Sequence, residues 1–330
     1  MPSWDEVLTE IRQCNRPDAL DFVRRKYLKK LFEITGRNII AYYSGWLQKP
    51  GIKNAGINDD DKNGFMATIH GLDRSKGLDL ILHTPGGNIA AADSLVNYLR
   101  KMFGTDIRAI VPQLAMSAGT MIACSCKEII MGKQSSLGPI DPQFNGIPVH
   151  GVIEEFERAI KEVKEHPESI PIWQIIVGKY HPTFIGECQN SIEWSKEIVQ
   201  NWLETGMFKD DAERVKKAQI IVDGLNNHKD TKTHERHIPI EECEKLGLKV
   251  IPLEVYMKEK NFQDCVLTIH HSYMHTFSSS GAFKIIENHK GIAMIQQQMQ
   301  QIIQLPQGIQ GLPLNFPSIN NDNGNTVIPG

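Results

Sequence analysis

An α/β fold built on a mainly parallel sheet is what the sequence predicts, and three stretches carry that prediction. LDLILHTPGGNIAAADSLVNYLRKMF (78–103) reads as a short apolar strand, a Pro-Gly-Gly turn, and a helix that places Ile89, Ala92, Leu95, Val96 and Leu99 on one side. DIRAIVPQLAMSAGTMIACSC (106–126) repeats the plan with a turn of small residues, and KEIIMGKQSSLGPIDPQ (127–143) adds a further strand and turn. Strands alternating with helices at this spacing form parallel sheets with helical layers, and the continuous apolar run LDLIL marks a strand buried on both faces. In such sheets ligands sit at the carboxyl ends of the strands, where both small-residue turns lie.

The flanking elements follow from the same patterns. Residues 18–34 (DALDFVRRKYLKKLFEI) have helical apolar spacing, with Arg24, Arg25, Lys26, Lys29 and Lys30 expected on a solvated face. RNIIAYYSGW (37–46) has the β-branched and aromatic content of a strand. GINDDDKNG (56–64) is a turn-rich loop; its aspartates lack the alternate-residue spacing and closing glutamate of a calcium loop. HIPIEECEKLGLKV (237–250) starts a helix near Pro239 and stops it at Gly247. The expected division is an N-terminal helical segment over 1–35, a core over 36–225, a C-terminal extension over 226–295, and a Gln/Asn/Pro-rich tail over 296–330 that either stays disordered or lies over a neighbouring subunit.

Composition narrows the function classes. With 330 residues, 41% of them hydrophobic, the chain can bury a sizeable core. A net charge of -3 supplies no basic field for a nucleic-acid backbone, and no apolar run approaches the ~18 residues of a membrane span. The N-terminus MPSWDEVLTEIRQCNRP lacks the apolar segment of an export signal, so a cytoplasmic location is expected, with the six cysteines as reduced packing thiols. His228, His234, His237 and Cys243 have gaps that zinc could use, yet a loop running into a helix explains them as well. His271 and His275 have the i, i+4 spacing of a ligand pair without the glutamate of a metalloprotease motif. No cofactor or metal is expected.

Chemistry concentrates at the two turns. Gly86 and Gly87 can take a positive φ and present an amide N–H outward. Ser117 follows a strand and opens a helix, so its hydroxyl and the Ala118 N–H share that helix's positive end. A hydroxyl beside preorganised amide donors is what acyl transfer requires. The same small residues also suit a helix that merely packs close to the sheet, and on the residues alone both readings stand.

HTPGGNIAAADSLVNYL, AMSAGTMIACS and SSLGPIDPQ, in this order and spacing, resemble the successive signatures of the Clp-fold serine peptidases. The wider wording RRKYLKKLFEITGRNIIAYYSGWL, LDRSKGLDLILHTPGG and MSAGTMIACSCKEIIMGKQSSLGPIDPQF, within residues 23–290, is similar to the branch called the serine dehydrogenase proteinase family. The resemblance implies a crotonase-like fold of repeated ββα units with N- and C-terminal helical extensions. It also implies Ser117 as nucleophile and the Gly87 and Ala118 amides as oxyanion hole.

The base does not transfer directly from the Clp peptidase subunit, whose histidine follows about 25 residues after the serine, where this chain has none. Signal peptide peptidase A, of the same fold, uses a lysine in a setting similar to GKYHPTFIGE (178–187), and His181 falls where that lysine would. The family's order of Ser, Asp, His is met by Ser117, Asp141 and His181, with Lys179 as the alternative base. The expectation is a homo-oligomeric serine endopeptidase of peptides or unfolded protein. With no P-loop in the chain, any ATP-driven unfolding falls to a separate protein. The alternatives are a crotonase-type acyl-CoA enzyme and a catalytically silent assembly protein.

Overall fold

The computed structural model describes residues 2–144, 146–226 and 236–298. Helices α1 (Trp4–Gln13) and α2 (Ala19–Thr35) lead into β1 (Asn38–Ser44). The units read from the sequence follow: α3 (Asp61–Ile69), β2 (Leu78–His83), α4 (Ile89–Phe103), β3 (Ile107–Val111), β4 (Leu114–Ala115), α5 (Ala118–Cys124) and β5 (Glu128–Met131). Then come β6 (Ser136–Leu137), a small hairpin of β7 (Gln143–Phe144) and β8 (Ile147–Pro148), and helices α6 (Val149–Glu165), α7 (Ile170–Val177), α8 (Phe184–Trp202) and α9 (Arg214–Leu225). The C-terminal part holds β9 (Ile238–Pro239), α10 (Ile240–Leu246), β10 (Val250–Pro252), α11 (Phe262–Ser279), β11 (Ala282–Asn288) and β12 (Ala293–Gln297).

The main sheet has seven strands in the order β10-β5-β3-β2-β1-β11-β12. β10, β5, β3, β2 and β1 run parallel, while β11 lies antiparallel to β1 and β12 antiparallel to β11. Residues beyond 226 therefore do more than extend the core: they complete the sheet at both edges. Alternation along the strands sends Tyr42, Leu80, Ala109 and Ile129 to one face, with α3, α4, α5 and α9. It sends Ile39, Tyr43, Ile81 and Ile110 to the other, with α2 and α11. This double coverage is why every residue of LDLILH is buried, Asp79 and His83 included.

The basic run on α2 departs from expectation. Arg24 is fully buried, and its guanidinium donates to Glu287 of β11 at 3.0 Å and Thr276 of α11 at 2.8 Å. Burial alone would lower the Arg24 pKa, but Glu287 and the neighbouring Asp21 outweigh it and raise the pKa. A buried arginine of this kind is tolerable only because the C-terminal strand brings a carboxylate to it, and no local pattern shows that. Among the described residues, no helix is long and apolar enough to cross a membrane.

Candidate active site

Two loops meet because strand pairing continues past the main sheet. Thr84, just after β2, donates its N–H to Leu114 at 3.0 Å and accepts from Met116 N–H at 3.0 Å, setting the Pro85-Gly86-Gly87 turn beside Ser117. β4 then pairs with β6 and β6 with β9 in a three-stranded sheet, and Leu114 of β4 lines the cleft.

Ser117 has φ 51° and ψ -119°, a conformation few non-glycine residues adopt. Such a backbone costs about 1–3 kcal/mol and persists only where its surroundings hold it. They do: the Thr120 hydroxyl accepts from Gly138 N–H at 2.8 Å and donates to the Ala115 carbonyl at 2.7 Å, tying the loop after β6 to both sides of the turn. The Ser117 hydroxyl makes no capping bond to α5, so it is not spent on the helix it opens.

The glycines are required by contact. A Cβ on Gly86 (φ 97°) would fall 2.6 Å from Ser117 Cβ and 2.7 Å from the Met116 carbonyl oxygen. One on Gly87 (φ 149°) would fall 2.3 Å from Ile57 N. Ile57 N–H donates to the Gly86 carbonyl at 2.7 Å, and Asn88 N–H donates to the Ile57 carbonyl at 2.9 Å. This backbone pairing holds the turn from the side opposite Ser117.

Ser117 and Gly87 both line a cleft of about 960 Å³, walled by Trp46, Leu47, Leu114, Met116, Phe144 and Trp194. Its lining is mostly apolar and, among the described residues, contains no lysine, arginine, aspartate or glutamate. His237 lines it as well. The register sets that histidine next to Ile238, which pairs with Leu137, which in turn pairs with Ala115, so two strand spacings of about 10 Å separate its backbone from the Ser117 turn.

The other expected residues fall in different places. Ala118 is buried as the first residue of α5. Asp141 is buried, and the next two residues, Pro142 and Gln143, line the cleft. His181 is a surface residue of the α7–α8 turn. Its Nδ1 lies 3.0 Å from Thr183 Oγ1 and its Nε2 3.7 Å from Glu187, and it does not line the cleft. From the start of α8 beside it, the first cleft residue of that helix, Ser191, is about 10 Å along the axis. Lys179 is exposed and outside the cleft too. Ser117, Gly87 and His237 thus line one cleft, and neither His181 nor Lys179 does.

His237 stood in the sequence among His228, His234 and Cys243, a grouping read as a loop running into a helix, with zinc as the other reading, and not linked to the serine. His228 and His234 lie outside the described residues, and Cys243 is buried against the Ile238 carbonyl. Among the described residues, no group of three or more His, Cys, Asp or Glu side chains is placed to hold a metal ion.

Behind the turn, His83 at the end of β2 is fully buried, with its ring 4.5 Å from that of the cleft residue Trp46 and 5.1 Å from that of His270. Neither His83 ring nitrogen has a hydrogen-bond partner among the described residues, and burial, reinforced by His270, pulls its pKa well below the usual histidine value.

A mainly parallel sheet covered on both faces, with a strained serine at a strand-to-helix turn and a glycine turn beside it, fits a ClpP-like architecture. Over residues 19–276 the chain matches the family described as ClpP-like SDH-type serine proteinases, and it belongs to that family. It is similar to two uncharacterized proteins of Methanocaldococcus jannaschii: MJ0137, 30% identical over 203 residues, and MJ1495, 27% identical over 203 residues. Each match covers 61% of this chain and 63% and 62%, respectively, of those proteins, so the chain spans less than two thirds of either relative's length.

Proposed function

We propose that the chain is a serine peptidase that cleaves peptide bonds through an acyl-enzyme on Ser117. The observation carrying this reading is the shared cleft: the strained Ser117, Gly87 and His237 all line it. His237 replaces His181 as the assigned base, taking the Ser117 proton during attack and returning it to the leaving amine. The Gly87 and Ala118 N–H groups stabilise the tetrahedral oxyanion, a contribution of about 10²–10³-fold per donor. Asp141 is assigned as the carboxylate of the Ser, Asp, His order, supported by its burial beside the cleft wall. The apolar lining favours an uncharged, apolar side chain next to the scissile bond.

Fluorophosphonate labelling combined with hydrolysis of a fluorogenic peptide library tests the assignment. Label should go to the wild type and not to Ser117→Ala, with substrates carrying Leu or Phe before the cleavage site preferred over those carrying Lys or Asp. His237→Ala should lose at least about 10²-fold in kcat, while His181→Ala should stay close to wild type. Labelling that persists in Ser117→Ala would refute the nucleophile, and the reverse ranking of the two histidine variants would refute the base.

A further inference from the structure

The Asp-Asp-Asp run that carried no assignment in the sequence ends in a residue with a definite role. Asp61 is buried, forms an ion pair with Lys284 of β11 at 2.8 Å, and accepts from the Tyr42 hydroxyl at 2.8 Å and Asn58 N–H at 3.0 Å. Lys284 is fully buried as well. A buried ion pair is commonly no more stabilising than an apolar pair of the same volume, so stability alone does not call for these charges.

The second bond from the ammonium is the informative one. Lys284 Nζ donates to the Gly56 carbonyl at 2.7 Å. No described peptide is cis, and in a trans peptide the carbonyl and the following N–H point in opposite directions. The peptide that accepts from Lys284 therefore directs its other end, Ile57 N–H, away from the lysine, and that group donates to the Gly86 carbonyl at 2.7 Å. The same geometry applies again: with its carbonyl held by Ile57, the Gly86–Gly87 peptide turns the Gly87 N–H away from Ile57, and Gly87 lines the cleft with Ser117. Close approach makes the relay possible, since a Cβ on Gly56 would lie 3.0 Å from the Gly86 carbonyl oxygen.

We propose that Lys284 is a positioning residue of the oxyanion hole. Its charge acts through two successive peptide groups, Gly56–Ile57 and Gly86–Gly87, to orient and strengthen the Gly87 donor. Hydrogen bonds in such a chain polarise one another, and here the first donor is a cation, the ammonium that also pairs with Asp61. The proposal rests on the assignment of Ser117 as nucleophile and Gly87 as oxyanion donor.

The test is Lys284→Met combined with Asp61→Asn, which removes both charges together, beside Lys284→Gln combined with Asp61→Asn, which keeps a neutral donor at position 284. The expected result for both is kcat lower by about tenfold, as for a weakened rather than deleted donor, with KM unchanged. Affinity for a peptide boronate that mimics the tetrahedral species should fall by a similar factor. The Gly87 amide proton should move upfield, a readout that does not depend on turnover. Wild-type kcat and an unmoved Gly87 amide in a folded variant would overturn the proposal while leaving the peptidase reading intact. A wild-type protein that neither labels at Ser117 nor cleaves peptides would overturn the peptidase reading, and the Gly87 shift would then decide the relay alone. Should the methionine variant not fold, kcat and the Gly87 amide shift of the glutamine variant decide the proposal in the same way.

Discussion

Gly86→Ala is the substitution for which the structure gives the sharpest expectation. The added methyl enters at φ 97°, between Ser117 Cβ at 2.6 Å and the Met116 carbonyl oxygen at 2.7 Å, and neither neighbour is the end of a flexible side chain. A left-handed conformation costs a non-glycine residue roughly 1–2 kcal/mol, and an extra methyl in a packed site costs a further 1–3 kcal/mol or so. The expected loss is about 2–5 kcal/mol in urea unfolding. Relief can come only by moving the Ser117 turn, and a shift of about 1 Å there should lower fluorophosphonate labelling about 10²-fold. Gly151→Ala in α6 serves as the internal contrast, because a Cβ there meets nothing within 4 Å. That change should leave labelling intact and raise stability by up to about 1 kcal/mol. If Gly86→Ala unfolds at the wild-type urea concentration and labels at the wild-type rate, the turn is not packed on Ser117 as described.

Two further changes follow from other parts of the same structure. Ser117→Gly should be more stable than Ser117→Ala by about 1 kcal/mol, because glycine relieves the φ of 51° that alanine keeps, less the entropy glycine adds to the unfolded chain; equal urea midpoints would count against a strained turn. His270 has its pKa pulled down to about 3 by burial and by His271. The folded value is below the unfolded one, so the unfolded chain takes up the proton first; the stability contribution is full above about pH 6.5 and is lost as pH falls toward 3. His270→Leu should therefore flatten the dependence of unfolding free energy on pH by about 1.4 kcal/mol per unit between roughly pH 6 and 4, and an unchanged slope would refute the shift.

Local patterns were enough for the parts of the fold that depend on near neighbours. Strand, small-residue turn and helix recur at 78–103 and 106–126 because apolar periodicity and turn residues act over a few positions, while Ser117 on the residues alone read equally as a packing position and took its role only from the family resemblance. Its partners were not legible in such patterns. His237 lies 120 positions after Ser117 and reaches the cleft only because β9 pairs with β6 and β6 with β4, while His181, in a sequence setting that suggested a base, is left on a surface turn.

The same division separates the charges. A basic run on α2 is expected on a solvated face and an aspartate run in a turn-rich loop, yet Arg24 and Asp61 are buried because β11 returns beside β1 with Glu287 and Lys284. The sequence by itself determined the α/β class and the glycines that can turn an amide outward at 86–87, since each is a property of short-range sterics. Tertiary structure alone decided which histidine lines the cleft with the serine and which buried cation bonds the Gly56 carbonyl. Those placements depend on strand pairings between residues distant in the chain, and neither periodicity nor spacing encodes such distances.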